Sequence, residues 1–146
     1  MGQENEEALE NIDTWIEDML REFSDWLIIV EGIKDVLALD NLGVDLPVVH
    51  LNKGLSNLDL LEKLWRAEGD FRRFKYIEGL VILTDWDRTG GRLARSLGDK
   101  CLSLGIPYDM TMRKRLAMIC GKWIKDVESL DTLYITLKED QRLSLT

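Results

Sequence analysis

The sequence predicts an α/β fold in which a mostly parallel sheet of about four strands is flanked by helices, with extra helices at the N- and C-terminal ends. Two observations support this fold class. Short apolar runs suited to buried strands alternate with helical stretches of about ten residues or more. The chain has 146 residues, about the length of one domain. We therefore expect an acidic N-terminal helix over 1–25, an α/β domain over 26–110 and a C-terminal helical extension over 111–146 that packs on the same domain.

Four short apolar segments predict the strands. The first, 26–30, is almost continuously apolar, as expected for a strand buried on both faces. The second covers 47–51, the third covers 79–84 and has the clearest pattern, and the fourth covers 106–110. Ligands of open α/β sheets bind beyond the carboxyl ends of the strands, so the residues that follow each segment are the ones to search for a site.

Periodic apolar residues and capping residues predict the first three helices. A helix over 6–23 carries one apolar stripe among carboxylates, formed by Leu9, Ile12, Ile16, Met19, Leu20 and Phe23. The second helix begins near Ile33 and is ended by Gly43. The third begins at Ser56, a favourable N-cap residue.

Three further helices are expected in the second half of the chain. The fourth helix follows a loop over 85–91 and stops at Gly105. The fifth is capped by Thr111, and the last presents an apolar face that begins at Val127.

The acidic character of the chain is concentrated at its beginning. Residues 1–25 hold nine acids and one base, which alone account for the net charge of −8, whereas the remainder holds 18 of each sign. A nucleic-acid partner is therefore compatible with the overall charge, because the field near a site depends on local charge. The acidic helix also offers a surface for a basic protein partner.

Other patterns exclude several classes of protein. No apolar run approaches the roughly 20 residues of a membrane span, and the acidic start does not resemble a signal peptide, so we expect no membrane partner and a cytoplasmic protein. Cys101 and Cys120 are too few for a disulfide scaffold or a four-cysteine zinc site.

Acidic side chains follow the first and third predicted strands. Glu31 follows the first, and Asp85 and Asp87 follow the third. If these strands are parallel, Glu31 and Asp85 stand at the same edge of the sheet, and the two aspartates point the same way. Crowded carboxylates repel one another unless a divalent cation or a shared proton relieves them, and oxygen-only ligands suit Mg²⁺ or Mn²⁺. Either motif alone is common in turns and loops, but the pair favours a site.

Basic residues and glycines near these acids predict phosphate contacts. The two glycines before the fourth helix let the backbone approach a phosphate, which the N-terminus of the helix favours. The expected phosphate- and nucleic-acid-binding residues are Lys34, Arg88, Gly90, Gly91, Arg92, Arg113, Lys114 and Arg115. Ordinary solvated surface charge is the alternative for the basic members of this set.

The aromatic residues near these bases admit two roles. Phe71, Phe74 and Tyr76 alternate with bases and are able to stack on nucleobases, although packing in the core is the favoured role. Trp86, between the two aspartates, is expected to point away from the metal. His50, at a strand end, is expected to be structural.

The pattern of an apolar strand, Glu31-Gly32, Lys34-Asp35 and a later strand that ends in Asp85-x-Asp87-x-x-Gly90 resembles the TOPRIM domain. This is the topoisomerase–primase fold, which also occurs in small ribosomal-RNA maturation nucleases. The resemblance covers about residues 26–110, and the whole chain resembles the short, stand-alone TOPRIM proteins of archaea.

The resemblance implies roles for individual residues. Glu31 would act as a general acid or base or as a metal ligand, and Asp85 and Asp87 would bind Mg²⁺. Gly32 and Asp35 would support this site. The segment Asn52-Lys53-Gly54 weakly resembles the Asn-Gly element of the maturation nucleases.

The resemblance therefore implies a Mg²⁺-dependent enzyme that transfers phosphoryl groups of nucleic acids, with hydrolysis of RNA phosphodiesters as the expected reaction. A non-catalytic, metal-dependent module that binds nucleic acid or nucleotides within a larger complex is the first alternative. A haloacid-dehalogenase-like phosphatase is the second, because Asp85-x-Asp87-x-Thr89 also matches its opening motif. That fold places the motif after its first strand and needs a downstream acidic pair, for which Asp126 and Glu128 are a poor match.

Overall fold

The computed structural model describes residues 2–51 and 54–145. Its strands are β1 (Leu27–Val30), β2 (Val48–His50), β3 (Leu80–Ile82) and β4 (Tyr108–Asp109). Its α-helices are α1 (Gly2–Glu22), α2 (Ile33–Asn41), α3 (Asn57–Trp65), α4 (Arg88–Leu104), α5 (Thr111–Cys120) and α6 (Leu130–Ser144), and a 3₁₀ helix spans Gly69–Phe74. Asn52 and Lys53, which belong to the proposed Asn-Gly element, lie outside the described residues.

The strands of the described chain form one parallel sheet in the order β2-β1-β3-β4. Ile28 of β1 is in register with Val48 on one side and with Val81 on the other. The two central strands, β1 and β3, are therefore neighbours whose carboxyl ends meet at one edge. This arrangement, with helices on both faces and at both ends of the chain, confirms the predicted fold class.

Alternate residues of the central strands face two separate cores. Ile28, Val30, Val81 and Leu83 pack with residues of α1, α2, α5 and α6 on one face. Leu27, Ile29, Leu80 and Ile82 pack with residues of α3 and α4 on the other. Because burying one such side chain contributes about 1.5–3 kcal/mol, strands covered on both faces have to be apolar throughout. This explains the continuous apolar runs in the sequence.

Helix α1 is anchored by a residue that the predicted stripe omits. Trp15 is fully buried, and its Nε1–H donates to the backbone oxygen of Met112 at 2.9 Å. The buried face also includes Ala8, whereas Leu20, which the stripe includes, is half-buried. The face is displaced because α1 packs against both α5 and α6 and so buries more than one narrow stripe.

Two helix starts differ from the prediction, and two helix ends agree with it. The Thr111 hydroxyl does not cap α5 but donates to Asp109, whose carboxylate accepts from the backbone N–H of Met112 at 3.0 Å. Helix α6 begins at Leu130, and Val127 lies buried before it. Gly43 and Gly105 follow α2 and α4 as predicted, with φ angles of 85° and 73° that favour glycine.

Ser56 caps α3 as predicted, because its side chain accepts from the backbone N–H of Asp59 at 3.1 Å.

No helix of the described chain combines the length and the apolar character that crossing a membrane requires.

Candidate metal and nucleic-acid site

The site begins where β1 and β3 end. The backbone N–H of Leu83 donates to the carbonyl of Ile29 at 2.8 Å, which extends the pairing of the two strands beyond Ile82. Two residues later, the Asp85 N–H donates to Oε2 of Glu31, also at 2.8 Å. The parallel register thus brings Glu31 and Asp85 to the same edge of the sheet.

Asp35 is the buried acid of this group. Its Oδ2 accepts from the backbone N–H of Gly32 at 3.0 Å, which closes the turn between β1 and α2. The side chain is buried, and burial raises the pKa of Asp35, an effect that the Gly32 bond opposes and the charges of Glu31, Glu128 and Asp126 increase. A buried carboxylate next to other carboxylates favours a nearby cation.

Asp85 is the most strongly perturbed acid of the group. Its Oδ1 accepts from the backbone N–H of Val127 at 3.0 Å. Burial raises the pKa of Asp85 to about 7, the Val127 bond opposes the rise, and the negative charges of Glu31 and Asp35 add to it. Concentrated oxygen ligands with unfavourable mutual repulsion match the preference of Mg²⁺ and Mn²⁺.

Asp87 occupies a different position. It is exposed and forms the N-cap of α4, where its Oδ1 accepts from the backbone N–H of Gly90 at 2.7 Å. Among the residues that the structure describes, no three side chains of His, Cys, Asp or Glu lie close enough together to hold a metal ion. The structure places Glu31 beside Asp85, with the charge of Asp35 near enough to raise the pKa of Asp85, and it places Asp87 at the start of α4.

Gly90 is needed where the loop folds back on itself. A Cβ atom at this position would lie 1.9 Å from the backbone oxygen of Asp85. The Thr84 hydroxyl, which is buried, donates to the Gly90 carbonyl at 2.7 Å, and this hydrogen bond stabilises the loop between the two residues. The loop itself therefore requires glycine at position 90, independently of the phosphate approach proposed from the sequence.

Arg113 connects α5 to the acidic loop. Its Nε donates to the carbonyl of Thr84 at 3.1 Å, and its Nη2 donates to the carbonyl of Asp85 at 2.7 Å. Burial lowers the pKa of Arg113, and the nearby charge of Glu31 opposes this effect. The guanidinium thus positions the loop and supplies positive charge beside it.

The other predicted phosphate-binding residues differ in their exposure and in their ion pairing. Arg88 and Arg92 are exposed in the first turns of α4, and Lys114 is exposed on α5. Arg115 pairs with Asp18 of α1 at 2.8 Å, so the acidic helix neutralises it.

A cleft of about 500 Å³ lies on the acidic side of the sheet edge. It is lined by Glu31, Lys34, Asp35, His50 and Glu128, among others. His50, which the sequence analysis treats as structural, is exposed at the mouth of this cleft. An exposed histidine at a strand end has no local sequence signature that separates it from a packing residue.

The segment before α6 is the part of the site that the sequence analysis missed. Trp86 donates from Nε1 to the carbonyl of Ile124 at 2.8 Å, and its backbone N–H donates to the carbonyl of Lys125 at 3.0 Å. Together with the Val127–Asp85 bond, these contacts fasten the loop to a segment about 40 residues away. The sequence marks this segment only as the start of a helix, because its role depends on tertiary packing.

The aromatic residues before β3 divide between core and surface. Phe74 is buried and Phe71 is half-buried. Tyr76 is 81% exposed, so the expected core packing is wrong for this residue. Its position after the 3₁₀ helix places it before β3, at the opposite end of that strand from Asp85.

The chain has the architecture of parallel α/β domains that bind their ligands beyond the carboxyl ends of the strands, with acidic side chains at that edge of its two central strands. The chain belongs to the Toprim domain family, whose model matches residues 26–119. Toprim domains generally bind divalent metal ions such as Mg²⁺, and the family indicates a metal-dependent function related to nucleic acids.

The chain is also similar to small archaeal proteins and to one solved structure. It is 38% identical over 128 residues to a UPF0292 protein of Methanosarcina barkeri, with 84% of this chain and 82% of that protein covered. It is 40% identical over 118 residues to a UPF0292 protein of Pyrococcus abyssi, with 81% and 80% covered. A structure described as a putative protein from Aquifex aeolicus superposes with a TM-score of 0.61 and 26% identity, over 80% of this chain and 95% of that one.

Proposed function

We propose that this protein is a Mg²⁺-dependent phosphotransfer enzyme that hydrolyses phosphodiester bonds of RNA. The observation that carries the proposal is the contact between Glu31 and the Asp85 backbone, which groups their carboxylates at one sheet edge beside the Arg113 guanidinium. Negative charge that attracts a cation thus adjoins positive charge that attracts a phosphate.

Glu31, Asp85 and Asp87 are the residues that would hold the metal. A bound Mg²⁺ or Mn²⁺ ion would supply charge to polarise the phosphate and stabilise the leaving oxygen. Each of the three carboxylates has one oxygen in a described bond to a backbone N–H, at 2.7 to 3.0 Å. These bonds orient the side chains, and the second oxygen of each is the proposed metal ligand.

Glu31 is the proposed proton-transfer group. It follows β1 directly, it lies beside Asp85, and a proton held or released at its carboxylate would serve the attacking or leaving oxygen. The exposed cations Lys34, Arg88 and Arg92 are proposed to bind the phosphates on either side. The N–H groups of Gly90 and Gly91 already donate to Asp87, at 2.7 and 2.9 Å, so these glycines are proposed to shape the loop and not to donate to a phosphate.

RNA is favoured over DNA because the motifs resemble those of the ribosomal-RNA maturation nucleases. The second candidate function is a metal-dependent binding module without catalysis. The Arg113 guanidinium beside the acidic centre favours this candidate, because a cation next to a metal suffices for phosphate binding without any proton transfer. The phosphatase alternative has less support, because the Asp-x-Asp motif follows β3 and not the first strand.

Cleavage assays with labelled structured RNA and DNA, in Mg²⁺, Mn²⁺ or EDTA, test the proposal. We expect RNA cleavage that requires metal and is lost in Asp85→Asn. Asp45→Asn is a matched control, because Asp45 is exposed in the loop before β2 and belongs to no part of the site. Metal-dependent binding without cleavage would instead support the binding module.

A further inference from the structure

A second cleft lies on the other side of the acidic loop, between α4 and α5. Its volume is about 550 Å³, which is within the range of sites for small ligands. Trp86 lies in its wall, so the cleft adjoins the segment that carries Asp85 and Asp87.

Three cations line this cleft, and none of them takes part in a described ion pair. Arg95, Arg113 and Lys114 form no ion pair with any acid of the described chain, whereas the neighbouring Arg115 is paired with Asp18. The guanidinium nitrogens of Arg113 and Arg95 lie 3.7 and 3.8 Å from the position of a Cβ atom built on Gly91. Two like charges that converge on one backbone position repel each other, and a bound anion would relieve the repulsion.

The remaining wall of the cleft is largely apolar. Ala94, Met110 and Ala117 contribute small or flexible side chains, and Ala94 is buried. The indole of Trp86 is held by its bond to the Ile124 carbonyl. An apolar surface beside converging cations is complementary to a ligand with a flat apolar body and a phosphate, as in a nucleotide.

Arg113 links this cleft to the acidic centre. It lines the cleft and also donates to the carbonyl of Asp85 at 2.7 Å. A strand with one phosphate at the acidic centre would therefore bring an adjacent nucleotide to the mouth of the cleft.

We propose that this cleft binds one unpaired nucleotide of the substrate strand, with the base against Trp86 and Ala117 and a phosphate at Arg95 and Arg113. The proposal rests on the proposed function in that the strand is a substrate of the acidic centre. It adds that the substrate is single-stranded next to the cleaved bond, because the faces of a base within a duplex are covered by the neighbouring stacked bases.

Calorimetric titrations in EDTA test the cleft without the metal. The probes are adenosine monophosphate, ribose 5-phosphate and a short single-stranded RNA. We expect the mononucleotide to bind more tightly than ribose 5-phosphate, which has no base, and the RNA to bind more tightly than both. Equal affinity for the mononucleotide and the sugar phosphate would overturn a base-binding cleft, and equal affinity for the mononucleotide and the RNA would overturn the assignment to a strand.

Two substitutions separate the base from the phosphate. Ala117→Phe fills the apolar part of the cleft and should weaken binding of the mononucleotide by about tenfold or more. The affinity for ribose 5-phosphate should be unchanged. Arg95→Gln removes an exposed cation and should weaken both ligands by about tenfold. Lys100→Gln is the matched control, since it removes one charge from α4 outside this cleft and should leave both affinities unchanged.

The failures of the two proposals are distinguishable. RNA cleavage by a protein that binds no mononucleotide in EDTA would overturn the proposal that the cleft binds a nucleotide. It would leave the proposed function intact. Mononucleotide binding that responds to both substitutions, in a protein that cleaves nothing, would support the cleft and overturn the nuclease proposal. Mononucleotide affinity unaffected by Ala117→Phe in a folded variant would overturn the position of the base, and unchanged affinity in Arg95→Gln would overturn the position of the phosphate.

Discussion

The Oε2 atom of Glu31 lies 2.8 Å from the backbone nitrogen of Asp85 and accepts its hydrogen bond. This contact joins two motifs that are 54 residues apart in the chain. It exists because β1 and β3 are parallel neighbours whose ends coincide. Since the acceptor is one oxygen of the Glu31 side chain, substitution by glutamine retains a group able to make the same bond, and the structural and chemical roles of Glu31 are separable.

The acidic group is expected to make the protein more stable in the presence of Mg²⁺ or Mn²⁺. A ligand at about 100 times its dissociation constant adds about 2.7 kcal/mol to the free energy of unfolding. For a chain of this size, that gain raises the melting temperature by several degrees. Thermal melts with metal and with EDTA measure the shift. Asp85→Asn and Asp87→Asn should each abolish the shift. A shift in both variants as large as that of the wild-type protein would show that the Asp-x-Asp motif does not bind the metal.

Asp85→Asn is expected to stabilise the protein in EDTA, by about 1 kcal/mol. The asparagine oxygen retains an acceptor for the Val127 N–H, and the substitution removes a half-buried charge next to Glu31 and Asp35. The gain is only part of the full electrostatic effect, because the carboxylate is half-exposed and solvent screens it. Urea denaturation of the two proteins gives the difference. A lower free energy of unfolding in the variant would show that the charge itself supports the fold.

Glu31→Gln is expected to reduce RNA cleavage by about 10²–10⁴-fold, the usual contribution of general acid–base catalysis. The stabilisation by metal should be reduced but not abolished, because Asp85 and Asp87, the other two proposed ligands, are unchanged. Asp87→Asn retains an acceptor for the Gly90 N–H and should instead weaken metal binding and RNA binding together. Single-turnover cleavage and binding assays on both variants test this difference. Cleavage at the wild-type rate by Glu31→Gln would refute the proton-transfer role.

Gly90→Ala is expected to lower the free energy of unfolding by at least about 2 kcal/mol, because the added methyl group meets the Asp85 carbonyl and the backbone has to move. Gly91→Ala is the matched comparison in the same turn. Its methyl group would meet only the ends of the Arg113 and Arg95 side chains, at 3.7 and 3.8 Å, so its stability should be unchanged or slightly higher. Denaturation curves that rank the two variants equally would contradict this account of the loop.

Removal of residues 1–7 is expected to tighten nucleic-acid binding and to steepen its dependence on salt. The deletion removes three acids, Glu4, Glu6 and Glu7. The side-chain contacts that the structure describes for residues 2–7 are exposed, namely the Glu4–Lys122 ion pair and the Asn5–Asp140 hydrogen bond. Less negative charge near the basic groups leaves more of their attraction for phosphates. Binding titrations at several salt concentrations measure the effect.

The full-length variant Glu4→Gln/Glu6→Gln/Glu7→Gln is the control for this deletion. It should show the same change in affinity if charge is the cause. Unchanged affinity of both proteins at low salt would leave this part of α1 with a packing role only.

The sequence by itself determined the fold class and the two acidic motifs. Strands buried on both faces have to be apolar throughout, and crossover helices separate parallel strands, so both features appear as local patterns. The parallel arrangement then places residues that follow neighbouring strands at one edge, so the sequence alone predicts that Glu31 lies beside Asp85. Residues that begin or end a helix are also recognised from a few neighbouring positions. Ser56 caps the start of α3, and Gly105 ends α4.

Only the tertiary structure decided how the acidic loop is held and what surrounds it. The bonds from Val127 to Asp85 and from Arg113 to the Asp85 carbonyl join segments that are 42 and 28 residues from the loop. The pairing of Arg115 with Asp18, which neutralises one predicted phosphate-binding residue, spans 97 residues. No short-range periodicity records such contacts, because they depend on how complete helices pack over the sheet and which side chains then share a surface.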